Sequence, residues 1–339
     1  MKLLKALSEI SGAPGREEHV RALIEEEIKA CCDEMHTDTM GNLICFKKGS
    51  NSDAKKVMLA CHMDEIGFYV RFIDDDGFLR VQQLGGFDTR NLFARRVRIE
   101  AGDGTFYLGN MNPAGKPIHV AGPEERKKIP MISDFAIDVG MNGEEAKKTF
   151  RPGDPITLVQ DFVEMGDLAT GKCMDNRVAC WLGVRVLERV KAPKDDLYVV
   201  FTVQEEIGIR GATTAAFEIG PDIGIGLDVT LALDLPGGSG GDHITKLGEG
   251  AAIKIMDSSM VSDKGLVDAF VEIAEKHEIP FQFEILPFGG TDGAAMQRVR
   301  SGAKSITLSV PCRNVHTVTE TIHKGDLEAT IALLEKFLS

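Results

Sequence analysis

Tryptophan occurs once in this chain, tyrosine three times, and aromatic residues make up only 6% of it. That is a poor stacking platform for sugars and argues against a glycosidase. Positive charge is also short: 39 Lys and Arg stand against 52 Asp and Glu, a net charge of -13. Nucleic acids and anionic membranes favour a basic footprint, so neither is an expected partner. No apolar run approaches the roughly 20 residues that a membrane-spanning helix needs. The seven cysteines include no Cys-x-x-Cys pair, so a structural zinc knuckle is not expected. Their odd number and irregular spacing fit buried, reduced thiols. The first ten residues read as an amphipathic helix without the apolar core or small-residue cleavage site of a secretory leader. A cytoplasmic protein is the expectation.

What is present suffices for a large core. The chain has 339 residues, 43% hydrophobic and 27% charged, which suggests one large domain and a smaller one. Residues Glu17 to Met35 carry helical periodicity after the turn Ser11-Gly-Ala-Pro-Gly-Arg16. Gly41 to Lys47 and Lys56 to His62 read as strands. From about Gly67 to Phe162, short alternating strands and glycine turns replace helices, with only Gly143 to Lys148 helical. A small β-barrel or sandwich is expected there. The charged run Glu124-Glu-Arg-Lys-Lys128 reads as a surface loop.

After Met165 strands and helices alternate again, the last helix being capped by Asp326. This predicts an α/β fold with a largely parallel central sheet flanked by helices on both faces. The expected division is 1–66 and 163–339 for the α/β domain, with 67–162 inserted. Pro236-Gly-Gly-Ser-Gly-Gly241 reads as a flexible loop, too irregular for a phosphate-binding fingerprint.

The chemistry gathers where strands end. Leu197-Tyr-Val-Val-Phe-Thr-Val runs through Gln204 into the acids Glu205 and Glu206. Other strands run into His62-Met-Asp64-Glu65, into Asp228, and toward Pro311-Cys-Arg-Asn-Val-His316. Asp175 stands just before a helix. Parallel strands end at a common edge where ligands bind, so this fold would assemble these residues. Buried carboxylates need a positive partner. Two histidines and several acids make a mixed N/O donor set that suits zinc, cobalt or manganese better than magnesium or calcium. The surplus of acids fits one carboxylate bridging two ions about 3.5–4 Å apart. Such a pair serves hydrolysis, most naturally of a peptide or amide, with a non-ligand acid as general base. Which of Glu205 and Glu206 is the ligand stays open on these grounds. Taken singly, each residue has a plainer role: Asp175 as a helix cap, Asp228 as a turn residue, His62 as a core imidazole.

Five motifs occur in order: Ala60-Cys-His62-Met-Asp64-Glu65-Ile-Gly-Phe68, Met174-Asp175-Asn-Arg177, Gln204-Glu205-Glu206-Ile-Gly208, Gly226-Leu-Asp228-Val and Val315-His316-Thr. Together they resemble the glutamyl aminopeptidase or TET family of dinuclear metallo-aminopeptidases, formerly often described as cellulases or endoglucanases. The resemblance covers nearly the whole chain. It implies that Asp175 bridges two divalent ions, zinc or cobalt with manganese as a further option. His62 and Asp228 would complete one site, Glu206 and His316 the other. Glu205 would be the general base, and Asp64 would orient His62. The β-rich insertion would be a dimerisation domain, and the assembly a homo-oligomer built from dimers, up to a tetrahedral dodecamer. The implied activity is removal of N-terminal residues from short peptides. Alternatives are an aminoacylase or carboxypeptidase on a similar site, or a metal-stabilised scaffold without turnover. Gly289-Gly-Thr-Asp292 also matches a family motif, which implies that it helps line the pocket, and reads equally as a helix-start turn. Cys61 departs from a usual small apolar residue, and Asn314 from a usual aromatic.

Overall fold

The computed structural model describes residues 1–117, 119–237 and 243–339. Residues 238–241 of the glycine-rich stretch lie outside the described residues. An eleven-stranded mixed sheet forms the main domain, and a separate six-stranded sheet closes into a barrel. At the centre of the main sheet four strands run parallel, in the order Asp196–Thr202, Lys56–His62, Ile223–Leu231 and Lys304–Arg313. Their alternation fixes two faces. Val57, Leu59 and Cys61 enter the larger core, while Met58 and Ala60 turn to the smaller one. The larger core is covered by helices that include Met174–Arg189 and Lys324–Leu338. The other face packs against Arg210–Ile219 and Gly293–Arg298. Among the described residues no helix is long and apolar enough to cross a membrane.

The flanks of the sheet are antiparallel and partly unforeseen. The helix expected over 17–35 ends at Ile28, and Glu34–Thr37 is instead an exposed edge strand paired with Leu43–Lys47. The strand Lys304–Arg313 runs through Pro311. Pro311 falls where this strand changes neighbours, between pairing of Ser309 with Ala252 and of Cys312 with Ile322. Its missing N–H therefore interrupts no ladder on that side. Asp228 lies within its strand, which continues to Leu231. His323, not Asp326, caps the last helix, its ring nitrogen accepting from the Gly325 amide at 3.0 Å. Asp326 instead accepts from the Gly248 and Gly250 amides.

The barrel leaves the main sheet directly after His62. Going round it, the strands are Gly67–Ile73, Leu79–Leu84, Phe135–Asp138, Phe106–Pro113, Arg95–Glu100 and Pro155–Leu158. Phe68, Val70, Val97, Ile99, Phe135 and Ile156 fill it. The run expected as a loop at 124–128 contains a short helix, Pro123–Lys127, started by a proline and carrying acids in its first turn. The barrel is also joined to the main domain through Val318, which is buried in the barrel core two residues after His316.

Candidate metal centre

Sheet register sets the first row of the site. Thr202 pairs with His62, and Gly226 with Ala60, which brings Asp228 level with His62 at the C-terminal edge of the parallel strands. Asp175 enters from the first turn of Met174–Arg189, where its backbone is not helical. Glu205 and Glu206 occupy the turn between Thr202 and Arg210, and His316 the turn between Arg313 and Glu320.

These turns bring all five expected ligand residues together. His62 Nε2 lies 3.2 Å from Asp175 Oδ1 and 4.0 Å from Asp228 Oδ1. His316 Nε2 lies 3.3 Å from Asp175 Oδ2 and 3.4 Å from Glu206 Oε2. Two triads of ligand atoms result, His62, Asp175, Asp228 and Asp175, Glu206, His316, each within 4.8 Å. Asp175 belongs to both and turns one oxygen to each histidine. Glu205 belongs to neither triad; its Oε2 lies 3.9 Å from His62 Nε2.

The electrostatics call for cations. Burial raises the carboxyls of Glu205, Glu206 and Asp228, and neighbouring acids reinforce it. Burial works against charge on the two imidazoles, yet the carboxylates beside them prevail. His62 is pushed well above its ordinary value, and His316 up to about 12. Asp175 is held below its ordinary range against burial by hydrogen bonds from His316 and His62. The carboxylates that favour positive charge on the imidazoles would equally favour a divalent ion held by the same nitrogens. Glu206 Oε1 is buried without a hydrogen-bond partner, an orphan acceptor that a cation would satisfy. The residues therefore fit a pair of divalent ions.

The supports around the triads are mostly carboxylates gripping main-chain amides. His62 Nδ1 donates to the Asp64 carbonyl at 3.2 Å, leaving Nε2 to face the site. The Asp64 carboxylate lies 3.5 Å from that nitrogen, but its hydrogen bonds come from the amides of Glu205 and Glu206, each at 3.0 Å. Glu17 accepts from the amide of Gln204, a residue at φ +56. Such left-handed conformations strain residues other than glycine, and an anchored neighbour offsets the cost. Asn314, at φ +58, is a residue type that tolerates this region, which accounts for an asparagine there. Cys61 is fully buried, and a side chain on the facing Gly183 would come within 3.0 Å of its sulfur.

Sequence reasoning did not single out Glu17 or Glu320, nor Gly85 and Gly86 at the end of a barrel strand. A Cβ on Gly85, at φ +87, would lie 3.2 Å from Glu206 Oε2, and one on Gly86 3.4 Å from His316 Nδ1. The insertion thus closes against the site, a contact with no local sequence signal.

A cavity of about 460 Å³ opens from the triads. Ile209, Val229, Leu231, Leu286 and Phe288 give it an apolar wall, and Gly289, Gly290 and Thr291 line it too. Both readings of the Gly289 motif hold, since Asp292 also precedes the helix Gly293–Arg298. Its carboxylate accepts from Thr202 Oγ1. Lys254 also lines the cavity, its Nζ 2.7 Å from Glu284 and 3.3 Å from Asp257. A larger depression of about 760 Å³ lies on the barrel. None of its lining residues belongs to either triad of ligand atoms found among the described residues.

This architecture, an α/β domain with a closed barrel inserted at the strand end that carries the site, is similar to that of solved TET aminopeptidases. The TET aminopeptidase of a marine-sediment archaeon of the Thaumarchaeota superposes with a TM-score of 0.95 at 32% identity, covering 100% of this chain and 95% of its own. The TET1 peptidase of Pyrococcus horikoshii, which can assemble into a tetrahedron or a large octahedral shell, gives a TM-score of 0.89 at 29% identity, covering 99% of this chain and 98% of its own. The sequence model of the M42 glutamyl aminopeptidases matches residues 41–333, and the chain belongs to that family. The lysyl aminopeptidase of Pyrococcus furiosus is 34% identical over 345 residues, 99% of this chain and 96% of that protein.

Proposed function

We propose that this chain is a dinuclear metal-dependent aminopeptidase that removes the first residue from short peptides. His62, Asp175 and Asp228 would hold one divalent ion, and Asp175, Glu206 and His316 the other. The donor set suits zinc, cobalt or manganese. When bound, the ions supply the charge that polarises the scissile carbonyl and lowers the pKa of water. Glu205 lines the cavity outside both triads. Its carboxylate takes a proton from the attacking water and returns it to the leaving amine. The apolar wall receives the first side chain of the peptide. Residues 67–162 act as the dimerisation domain of a homo-oligomer; the shell assembly of the Pyrococcus horikoshii relative supports the oligomer.

The observation that carries this reading is the sharing of Asp175 between two triads, with one oxygen turned to His62 and the other to His316. Metal content of purified variants tests it. Wild type binds two ions per chain, Asp228→Asn keeps one, and Asp175→Asn loses both. Two ions retained by Asp175→Asn would contradict the bridging role.

A further inference from the structure

The Glu320 carboxylate joins two segments that are far apart in sequence. Oε2 accepts from the Asp175 amide at 2.9 Å, and Oε1 accepts from the His316 amide at 2.7 Å. Glu320 is only 1% exposed. Its strand, Glu320–His323, pairs antiparallel with Leu168–Gly171, Gly171 standing opposite Glu320. One strand runs on toward Asp175, and the other follows the turn that carries His316. Glu320 is therefore set between the two loops by sheet register.

We propose that Glu320 is a positioning residue whose single carboxylate fixes the main chain at Asp175 and at His316, and so sets the separation of the two ligand-bearing loops. Its chemistry suits that task. A carboxylate offers two acceptors and no donor, so both amides are satisfied at once. The demand is greatest at His316, which sits at φ +63 and needs an anchor to stay there. The rest of the turn is tied by Thr317 Oγ1 donating to the Asn314 carbonyl at 2.7 Å, and by the Thr319 amide donating to Thr317 Oγ1 at 3.1 Å. Glu320 ties the main chain of this turn to the main chain of the Asp175 loop. Burial, and after it the charge of Asp175, raise the Glu320 carboxyl well above its ordinary range, and the hydrogen bonds from the two amides work against them in favour of the carboxylate.

The inference rests on the reading that Asp175 and His316 hold metal, and the Glu320→Gln variant tests it. Glutamine keeps the shape but has one acceptor and an NH₂ group, so one of the two amides faces a donor. Only the triad of Asp175, Glu206 and His316 contains both gripped residues. Whichever way the amide turns, that triad is loosened. Metal-free wild type and Glu320→Gln are titrated with Zn²⁺ against a chromophoric chelator, and folding of the metal-free chains is followed by circular dichroism. Wild type binds two ions. The variant folds and binds the ion of the Asp175, Glu206 and His316 triad about 10- to 100-fold more weakly, the other ion being weakened too only where the amide turns its NH₂ to Asp175, which both triads share. Both ions bound as in wild type overturns the proposal. Weakening confined to the ion of the His62, Asp175 and Asp228 triad also overturns it, because that triad contains only one of the two gripped residues. So does failure of the variant to fold, since the role would then be structural. Fewer than two ions on the wild type defeats the metal reading itself, and this inference with it.

Discussion

Glu205 and Glu206 are neighbours in the chain but serve different parts of the site. Glu206 Oε2 lies 3.4 Å from His316 Nε2 within a triad, whereas Glu205 stands outside both triads, 3.9 Å from His62. Asp64 grips both amides, so the turn presents the two carboxylates in fixed and different directions. The variants Glu205→Gln and Glu206→Gln should therefore differ in kind. Glu205→Gln keeps two ions and loses about 10²- to 10⁴-fold in kcat. Glu206→Gln loses an ion. Metal analysis beside steady-state kinetics separates them, and an ion lost from Glu205→Gln would reverse the assignment.

Beneath the site Glu65, Lys172 and Arg177 form a buried ionic cluster. Lys172 Nζ lies 2.6 and 2.7 Å from the two Glu65 oxygens, and Arg177 Nη2 lies 3.3 Å from one of them. Arg177 also donates to the carbonyls of Met63, Leu7 and Ile10, tying the first helix to the neck of the barrel. Removing one partner leaves buried charge uncompensated. Lys172→Met should lose roughly 3 kcal/mol of stability in urea unfolding. A loss below about 1 kcal/mol, the scale of a surface ion pair, would contradict this role.

Glu17 gives a pH signature. Burial, with Asp64 adding to it, raises its carboxyl from 4.5 to about 8, against the amides of Gly15 and Gln204, which favour the charged form. Between those two values the folded chain holds a proton that the unfolded chain has released. Stability contributed at Glu17 is thus full below pH 4.5 and declines as pH rises toward 8. Glu17→Gln removes the titration while keeping an acceptor for the amides. Compared by urea unfolding across this range, the variant should gain on wild type as pH rises, then level off above about pH 8. A constant difference would show that Glu17 does not titrate there.

The cavity wall bears on substrate choice. Ile209, Val229, Leu231, Leu286 and Phe288 are apolar, and Lys254 has its charge countered by Glu284 and Asp257. A charged first residue would meet no free opposite charge among these side chains. Peptides beginning with leucine, methionine or phenylalanine should show kcat/KM about tenfold or more above those beginning with lysine or glutamate. Fastest release of lysine or glutamate would contradict this.

Much of the site was legible because it follows from local pattern. Lys56–His62 and Asp196–Thr202 are buried strands whose ends run into His62 and Glu205, and parallel register places such ends together. The barrel showed itself through alternation, as in Gly67–Ile73. What stayed hidden depends on distant partners. The strands Val163–Met165, Leu168–Gly171 and Glu320–His323 are too short to carry a period, and pairing alone makes them strands. Glu320 is one acid in a threonine-rich segment; only that pairing sets its carboxylate between two loops. Gly85 and Gly86 matter because of what approaches them, Glu206 and His316. The helix expected over 17–35 was overread because the turn after Ile28, closed by the Cys31 amide on the Ile28 carbonyl, has no proline or glycine to announce it.

The measurement that bears most directly on the central claim is release of the first residue by chelated chain reloaded with zinc, cobalt or manganese. Peptides with free N-termini would run beside the same peptides acetylated. The expected result is no release from the chelated chain, release restored by metal, and release from free N-termini only. Release unaffected by chelation, or equal cleavage of the acetylated peptides, would contradict a metal-dependent aminopeptidase.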